Sequence, residues 1–258
     1  MTEQPKLRVL DLFSGIGGFS LGLERTGGFE TVAFCEIEPF PRRVLAKHWP
    51  EVPCYHDVRE LTAARLAANG IAVDVICGGF PCQDISTAGK RAGLAGERSG
   101  LWSEIVRLVC ELRPRFVIVE NVSALLFRGM GEVLGDLAES GYDAEWRCIP
   151  AADLGAPHNR DRIWIVAYPA KMLGDGGDDH GVSSYQSSEA IFDIPELGNR
   201  NRYQVAECGW NGGEPNVGRV AHGVPGRVDR LAGLGNAVVP QIPELIGNAI
   251  LQSRRIAA

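Results

Sequence analysis

The chain has 258 residues, 45% hydrophobic and 22% charged, with a formal net charge of −6. That composition excludes a disordered chain, a collagen and a disulfide-stapled miniprotein, and it leaves room for one sizeable domain with or without a small second one. A globally basic nucleic-acid coat is excluded too, whereas a local basic cleft is not.

The opening segment, MTEQPKLRVLDLFSG, lacks the apolar stretch of a secretory signal. No apolar run approaches the roughly 18 residues of a membrane span, so a cytoplasmic protein with no membrane partner is expected. The seven cysteines are scattered, with neither CxxC nor Cys/His ligand spacing, which points to reduced thiols and no metal.

RVLDLF (8–13) is apolar enough for a buried parallel strand. A glycine cluster follows, then FSLGLERTGG with helical spacing and a Gly27-Gly28 stop. TVAFCE (31–36) is a second strand, and Pro39 to His48 a helix with proline in its first turn. A short third strand ends at Asp57, and VDVICGG (73–79) is a fourth. LWSEIVRLVCELR (101–113) is an amphipathic helix closed by Pro114. RFVIVENV (115–122) is a fifth strand, and EWRCIP and RIWIVAYP are further strands able to pair at an edge. The alternation predicts an α/β fold with a mostly parallel sheet. Residues 169–225 are polar, glycine-rich and aperiodic, which reads as a small loop-rich insert. QIPELIGNAILQSRR (241–255) is a C-terminal helix.

Several strand ends carry groups with chemical potential. DLFSGIGG places Gly15, Gly17 and Gly18 between a strand and a helix, and Glu36 ends the next strand about 20 residues on. With Asp57 at a third strand end, a nucleoside-like ligand is favoured over a bare turn. Ser20 stands where a dinucleotide fingerprint would have its third glycine, so an adenosyl group with a methionine tail fits as well as NAD. GGFPCQ puts Cys82 just past the fourth strand, where open α/β sheets place their sites, and a loop with Lys90, Arg91 and Arg98 follows. Cys35, Cys77 and Cys110 lie inside apolar patterns and read as buried structural thiols. Glu120 ends an apolar strand; it is either a desolvated acid with a raised pKa or a helix-capping or ion-paired carboxylate. Arg160 and Arg162, two residues apart before IWIVA, are expected on one strand face, suited to oxygen or phosphate recognition. Asn236 in GNAVVP reads locally as a helix-entry residue.

Together these motifs resemble those of the C5-cytosine DNA methyltransferases. DLFSGIGG, GGFPCQ, ENV, RDR and GNAVVP occur in that family's order, and His158 stands where the arginine motif usually opens with Gln. The resemblance implies an S-adenosylmethionine-dependent, Rossmann-like domain over residues 1–168. Residues 169–225 become the target-recognition region and 226–258 a segment returning to the catalytic domain. It implies Cys82 as nucleophile, Glu120 as the group holding cytosine N3, Arg162 on the cytosine O2, and Arg160 on the catalytic loop or a phosphate. It further implies a cofactor site of Phe13, Gly15, Gly17, Gly18, Glu36, Ile37, Asp57, Val58, Pro81, Asn236 and Val238. DNA contacts are expected from Gln83, Lys90, Arg91, Arg98, Arg200, Arg202 and Arg219. The partner would be double-stranded DNA, met by a monomer, with a cognate restriction endonuclease as a genetic partner; an orphan or phage-borne enzyme would carry the same motifs. An RNA cytosine methyltransferase would carry the same motifs, a nonenzymatic DNA-binding relative would be expected to lack Cys82 or Glu120, and a nicotinamide oxidoreductase would need the missing glycine.

Overall fold

A computed structural model describes residues 5–81, 100–156, 158–170, 191–192 and 235–256. It contains a seven-stranded sheet of β1 (Leu7–Leu12), β2 (Phe29–Cys35), β3 (Cys54–Tyr55), β4 (Val75–Gly78), β5 (Phe116–Val122), β6 (Tyr142–Pro150) and β7 (Asp161–Pro169), in the order 3-2-1-4-5-7-6. The first five strands are mutually parallel, and β7 is antiparallel to both β5 and β6. The expected α/β class and edge hairpin are therefore present.

Helices cover both faces, as a sheet of apolar strands requires. Leu10, Leu12, Ile76, Val117, Val119, Ile163 and Ile165 point to one side. There they meet Trp102, Ile105, Leu108 and Val109 of α4 (Gly100–Leu112) and Val133 and Leu137 of α6 (Met130–Glu139), with Leu66 of α3 (Ala63–Ala68). Val9, Val75, Ile118, Trp164 and Val166 point to the other side. They pack on Phe19 and Leu23 of α1 (Gly18–Arg25) and on Ile242, Ile246 and Ile250 of α7 (Gln241–Ile256). α2 (Pro39–His48) begins with proline in its first turn, and a four-residue α5 (Leu125–Arg128) follows β5.

The C-terminal helix lies against α1 because α1 offers glycines where the two meet. A Cβ on Gly22 would overlap the Pro240 carbonyl, and one on Gly18 would come within 2.5 Å of the Val238 carbonyl. Helices α3, α5 and α6 have no counterpart in the sequence reading. Cys110 corrects it: the apolar pattern of α4 suggested a buried thiol, but Cys110 falls on the solvent side of that helix and is exposed. Cys35 and Cys77 are buried as expected. Among the described residues no helix is long and apolar enough to cross a membrane.

Candidate active site

Because β1, β2, β4 and β5 are parallel, their carboxyl ends share one edge, and the strand order reverses between β1 and β4. Crevices at such reversals are where open α/β sheets bind ligands. The glycine turn after β1 and the GGFP turn after β4 flank that point. β7 runs the other way, so its first residues, Asp161 and Arg162, arrive at the same edge.

The glycines of the first turn do three different things. Phe13 leaves β1 at φ 53°, an uncommon left-handed conformation for a side chain of that size, and turns the chain out of the sheet. Among the described residues no atom lies within 4 Å of a would-be Cβ on Gly15, which leaves its backbone open to a ligand. Gly17 is left-handed at φ 87° and backs onto the Trp49 ring, while Gly18 faces Val238. Ser20 is no substitute glycine. Its hydroxyl donates to the Asp11 carboxylate at 2.8 Å in a buried pair. The Cys77 thiol lies beside this carboxylate, and burial pushes the Asp11 pKa up to about 7.

Glu36 closes the turn from the β2 side. One carboxylate oxygen accepts from the Gly15 N–H at 2.7 Å, the other from the Glu38 N–H at 2.8 Å. Beside it Ile37 is 48% exposed, an apolar surface next to a fixed carboxylate. Arg42 donates to the carbonyls of Glu36, Cys54 and Tyr55, tying the ends of β2 and β3 together. Asp57 accepts from the Arg59 guanidinium through both oxygens, which holds its pKa below the usual carboxylate value. It also caps the short 3₁₀ turn that contains Val58. An open glycine, an anchored acid and an exposed apolar side chain fit a nucleoside group.

Glu120 sits at the neighbouring crevice wall. Burial raises its pKa, and the guanidiniums of Arg162 and Arg160 oppose that rise. Arg162 Nε lies 3.0 Å from Glu120 Oε1. Glu120 is thus both partly desolvated and ion-paired. Its other oxygen lies over Gly79, where a Cβ would stand 2.9 Å away. Asn121 is buried, and its amide donates to the Phe80 carbonyl at 3.3 Å, joining the ENV strand end to the turn that ends at Pro81. Neither Gly79 nor Asn121 stood out in the sequence as a positioning residue, because what each does depends on a contact between distant strands.

The paired-arginine expectation needs correction. β7 starts at Asp161, and Arg160 precedes it at φ 29°, so strand alternation does not put the two arginines on one face. Arg160 instead donates to the Gly235 carbonyl at 2.6 Å and borders a cavity of about 320 Å³ with His158, Gly235 and residues 237–240. Burial and the like charge of Arg162 lower its pKa. Val238 lines that cavity, and Asn236 is exposed. Cys82, Gln83, Lys90, Arg91, Arg98, Arg200, Arg202 and Arg219 lie outside the described residues. Among the described residues no group of three or more His, Cys, Asp and Glu side chains is placed to hold a metal ion.

The geometry defines a Rossmann-like protein with a glycine turn, an anchored carboxylate and a partly buried, ion-paired acid at the carboxyl edge of its sheet, and comparison with known proteins identifies which kind. Residues 7–226 match the C-5 cytosine-specific DNA methylase family, and the chain belongs to it. Type II methyltransferase M1.ScrFI of Lactococcus lactis subsp. cremoris is 30% identical over 80% of this chain and 53% of its own length. Type II methyltransferase M2.BsuMI of Bacillus subtilis is 35% identical over 62% of this chain and 42% of its own length. The chain therefore spans about half the length of the curated relatives it matches. The S. pombe Dnmt2 methyltransferase structure superposes with a TM-score of 0.53 at 21% identity, covering 64% of this chain and 50% of that one. A methyltransferase structure from Entamoeba histolytica gives 0.55 at 18% identity, covering 67% and 56%. These two likenesses concern the fold.

Proposed function

We propose that this protein methylates C5 of a cytosine flipped out of double-stranded DNA, using S-adenosylmethionine and a covalent bond between Cys82 and C6. The observation that carries the reading is Glu120. It is a partly buried carboxyl whose pKa desolvation raises and which Arg162 holds in place, at the crevice wall across from the GGFP turn and one residue before Asn121, which grips that turn.

S-adenosylmethionine, when bound, supplies an electrophilic methyl group. Gly15 leaves room for it, Glu36 is placed to accept from ribose hydroxyls, Ile37 offers apolar surface to the adenine and Asp57 retains lone pairs for the adenine amine. Phe13, Val58, Pro81, Asn236 and Val238 belong to the walls of the same site.

The Cys82 thiolate adds at C6, forming an S–C6 bond and moving the ring π-electrons toward C5. Glu120 stabilises the resulting negative charge by donating a proton at N3, a task that a raised pKa favours. Arg162 keeps Glu120 oriented and faces the cytosine O2. Arg160 braces the Gly235 segment. Once the methyl group has joined C5, its old bond to sulfur broken with the electron pair left on a neutral thioether, water removes the C5 proton, the returning electron pair expels the Cys82 thiolate, and N3 gives its proton back to Glu120. C6 is inaccessible in a stacked duplex, so the base must leave the helix.

Residues 1–168 and 226–258 form the catalytic unit, and residues 169–225, with Arg200, Arg202 and Arg219, choose the target. Gln83, Lys90, Arg91 and Arg98 join them against the DNA. The enzyme acts as a cytoplasmic monomer, and its modification protects DNA from a cognate restriction endonuclease. Bisulfite sequencing of DNA from a host expressing the protein tests the activity. Protected cytosines at one short sequence are expected; uniformly converted DNA would overturn it. Methylated transfer RNA with unmodified DNA would favour the RNA reading.

A further inference from the structure

Trp49 took no part in the sequence reading, yet it stands behind the cofactor turn. Pro50 follows it, and the residue before a proline is driven out of helical backbone. Trp49 accordingly caps α2 at ψ 66°, its N–H still reaching the Leu45 carbonyl at 2.8 Å. Its side chain crosses to α1. The indole N–H donates to Glu24 Oε2 at 2.9 Å, and Glu24 Oε1 accepts from the Thr31 N–H at 3.1 Å. The ring packs edge-on to Phe34 of β2, with centroids 5.3 Å apart.

The indole then occupies the place a side chain on Gly17 would take. A Cβ there would lie 2.7 and 2.8 Å from two ring carbons. Gly17 is the left-handed N-cap of α1 and has no side-chain cap to hold it. The turn is thus fixed from two sides: Glu36 binds the Gly15 N–H at one end, and Trp49 fills the space behind Gly17 at the other. Both side chains come from the β2–α2 unit, so Trp49 links the halves of the adenosyl site without touching its open face.

We infer that Trp49, held by Glu24, is a positioning residue for the cofactor. It keeps the glycine turn in the conformation that binds S-adenosylmethionine. The inference rests on the cofactor reading above. A turn that is competent only one-tenth of the time lowers apparent affinity about tenfold.

Titration calorimetry with S-adenosylmethionine on the whole protein tests it, using Trp49→Ala, Trp49→Phe and Glu24→Gln. Trp49→Ala is expected to weaken binding about tenfold, while kcat at saturating cofactor and KM for DNA stay within about twofold. Trp49→Phe restores ring packing and is expected to recover most of the affinity. Glu24→Gln weakens the indole's anchor and is expected to fall between. It and Trp49→Phe carry the test if Trp49→Ala does not fold. A residue needed only for folding would lower kcat through loss of active protein and leave the cofactor KM alone, and that pattern would overturn the inference. So would unchanged cofactor affinity in the variants that fold. A wild-type protein that binds no S-adenosylmethionine would overturn the cofactor reading itself.

Discussion

Gly79 shows how much chemistry can depend on a missing side chain. The Glu120 carboxylate lies over it, and a methyl group there would press on Oε2 from 2.9 Å. Gly79→Ala should displace the carboxylate while leaving the glycine turn after β1 untouched. Methylation is expected to fall by about tenfold to a hundredfold, the scale of an ångström-sized misplacement. Calorimetric cofactor affinity should be retained; full activity in the variant would show that the contact carries no weight. Asp11 is a second residue whose environment has a measurable consequence. Its pKa is about 7 in the fold, where burial disfavours the charge, against about 3.9 when unfolded. The native state therefore holds a proton that the unfolded chain has lost between those values, and stability contributed by this group declines as pH rises through that window. Relative to Asp11→Asn, the wild type should lose about 2.5 kcal/mol between pH 5 and pH 8. Urea unfolding of both proteins at the two pH values measures it, and parallel behaviour would mean Asp11 titrates normally.

The elements themselves were mostly legible in the sequence, for identifiable reasons. Apolar runs ending in Glu36, Gly78 and Glu120 could only be buried parallel strands, and Pro39 and Pro114 mark helix boundaries in both sequence and structure. Helix α6 escaped because Gly131 and Gly135 dilute its apolar period, and α3 because AARLAA is short and alanine-rich. An ion pair at Glu120 was legible as an alternative, but its partner Arg162 was not, because the pairing needs β7 to run antiparallel to β5, with Val122 opposite Arg162. No local pattern encodes that pairing. Nor does one encode the packing of α7 on α1, which uses Gly22 as a contact point. Gly22→Ala would force its Cβ into the Pro240 carbonyl, an overpacking that typically costs about 1–3 kcal/mol. A lowered urea midpoint with an unchanged slope is expected, whereas an unchanged midpoint would mean the segment shifts freely.

At the scale of the whole molecule, the sheet and the tract 169–225 read very differently. Residues 169–225 look featureless in sequence, yet Ile191 and Phe192 are buried against the sheet on the α1 side. Arg147 of β6 donates to the Phe192 carbonyl at 2.8 Å, so the tract touches the sheet at that point. Two apolar residues in a polar tract were too few to announce that anchor. If the insert reads DNA, replacing both Arg200 and Arg202 with Ala should relax or abolish the preferred sequence and spare cofactor binding. An unchanged methylation profile would place specificity elsewhere.

The covalent role of Cys82 is tested most directly with duplex DNA carrying 5-fluorocytosine at the methylated position. Fluorine cannot leave C5 as a cation, so methyl transfer should be followed by a stalled adduct. In the presence of S-adenosylmethionine, a complex that survives denaturation is expected, with peptide mapping placing the bond on Cys82, and Cys82→Ser should form none. A wild-type enzyme that methylates cytosine without forming such an adduct, or an adduct on any other cysteine, would contradict the mechanism.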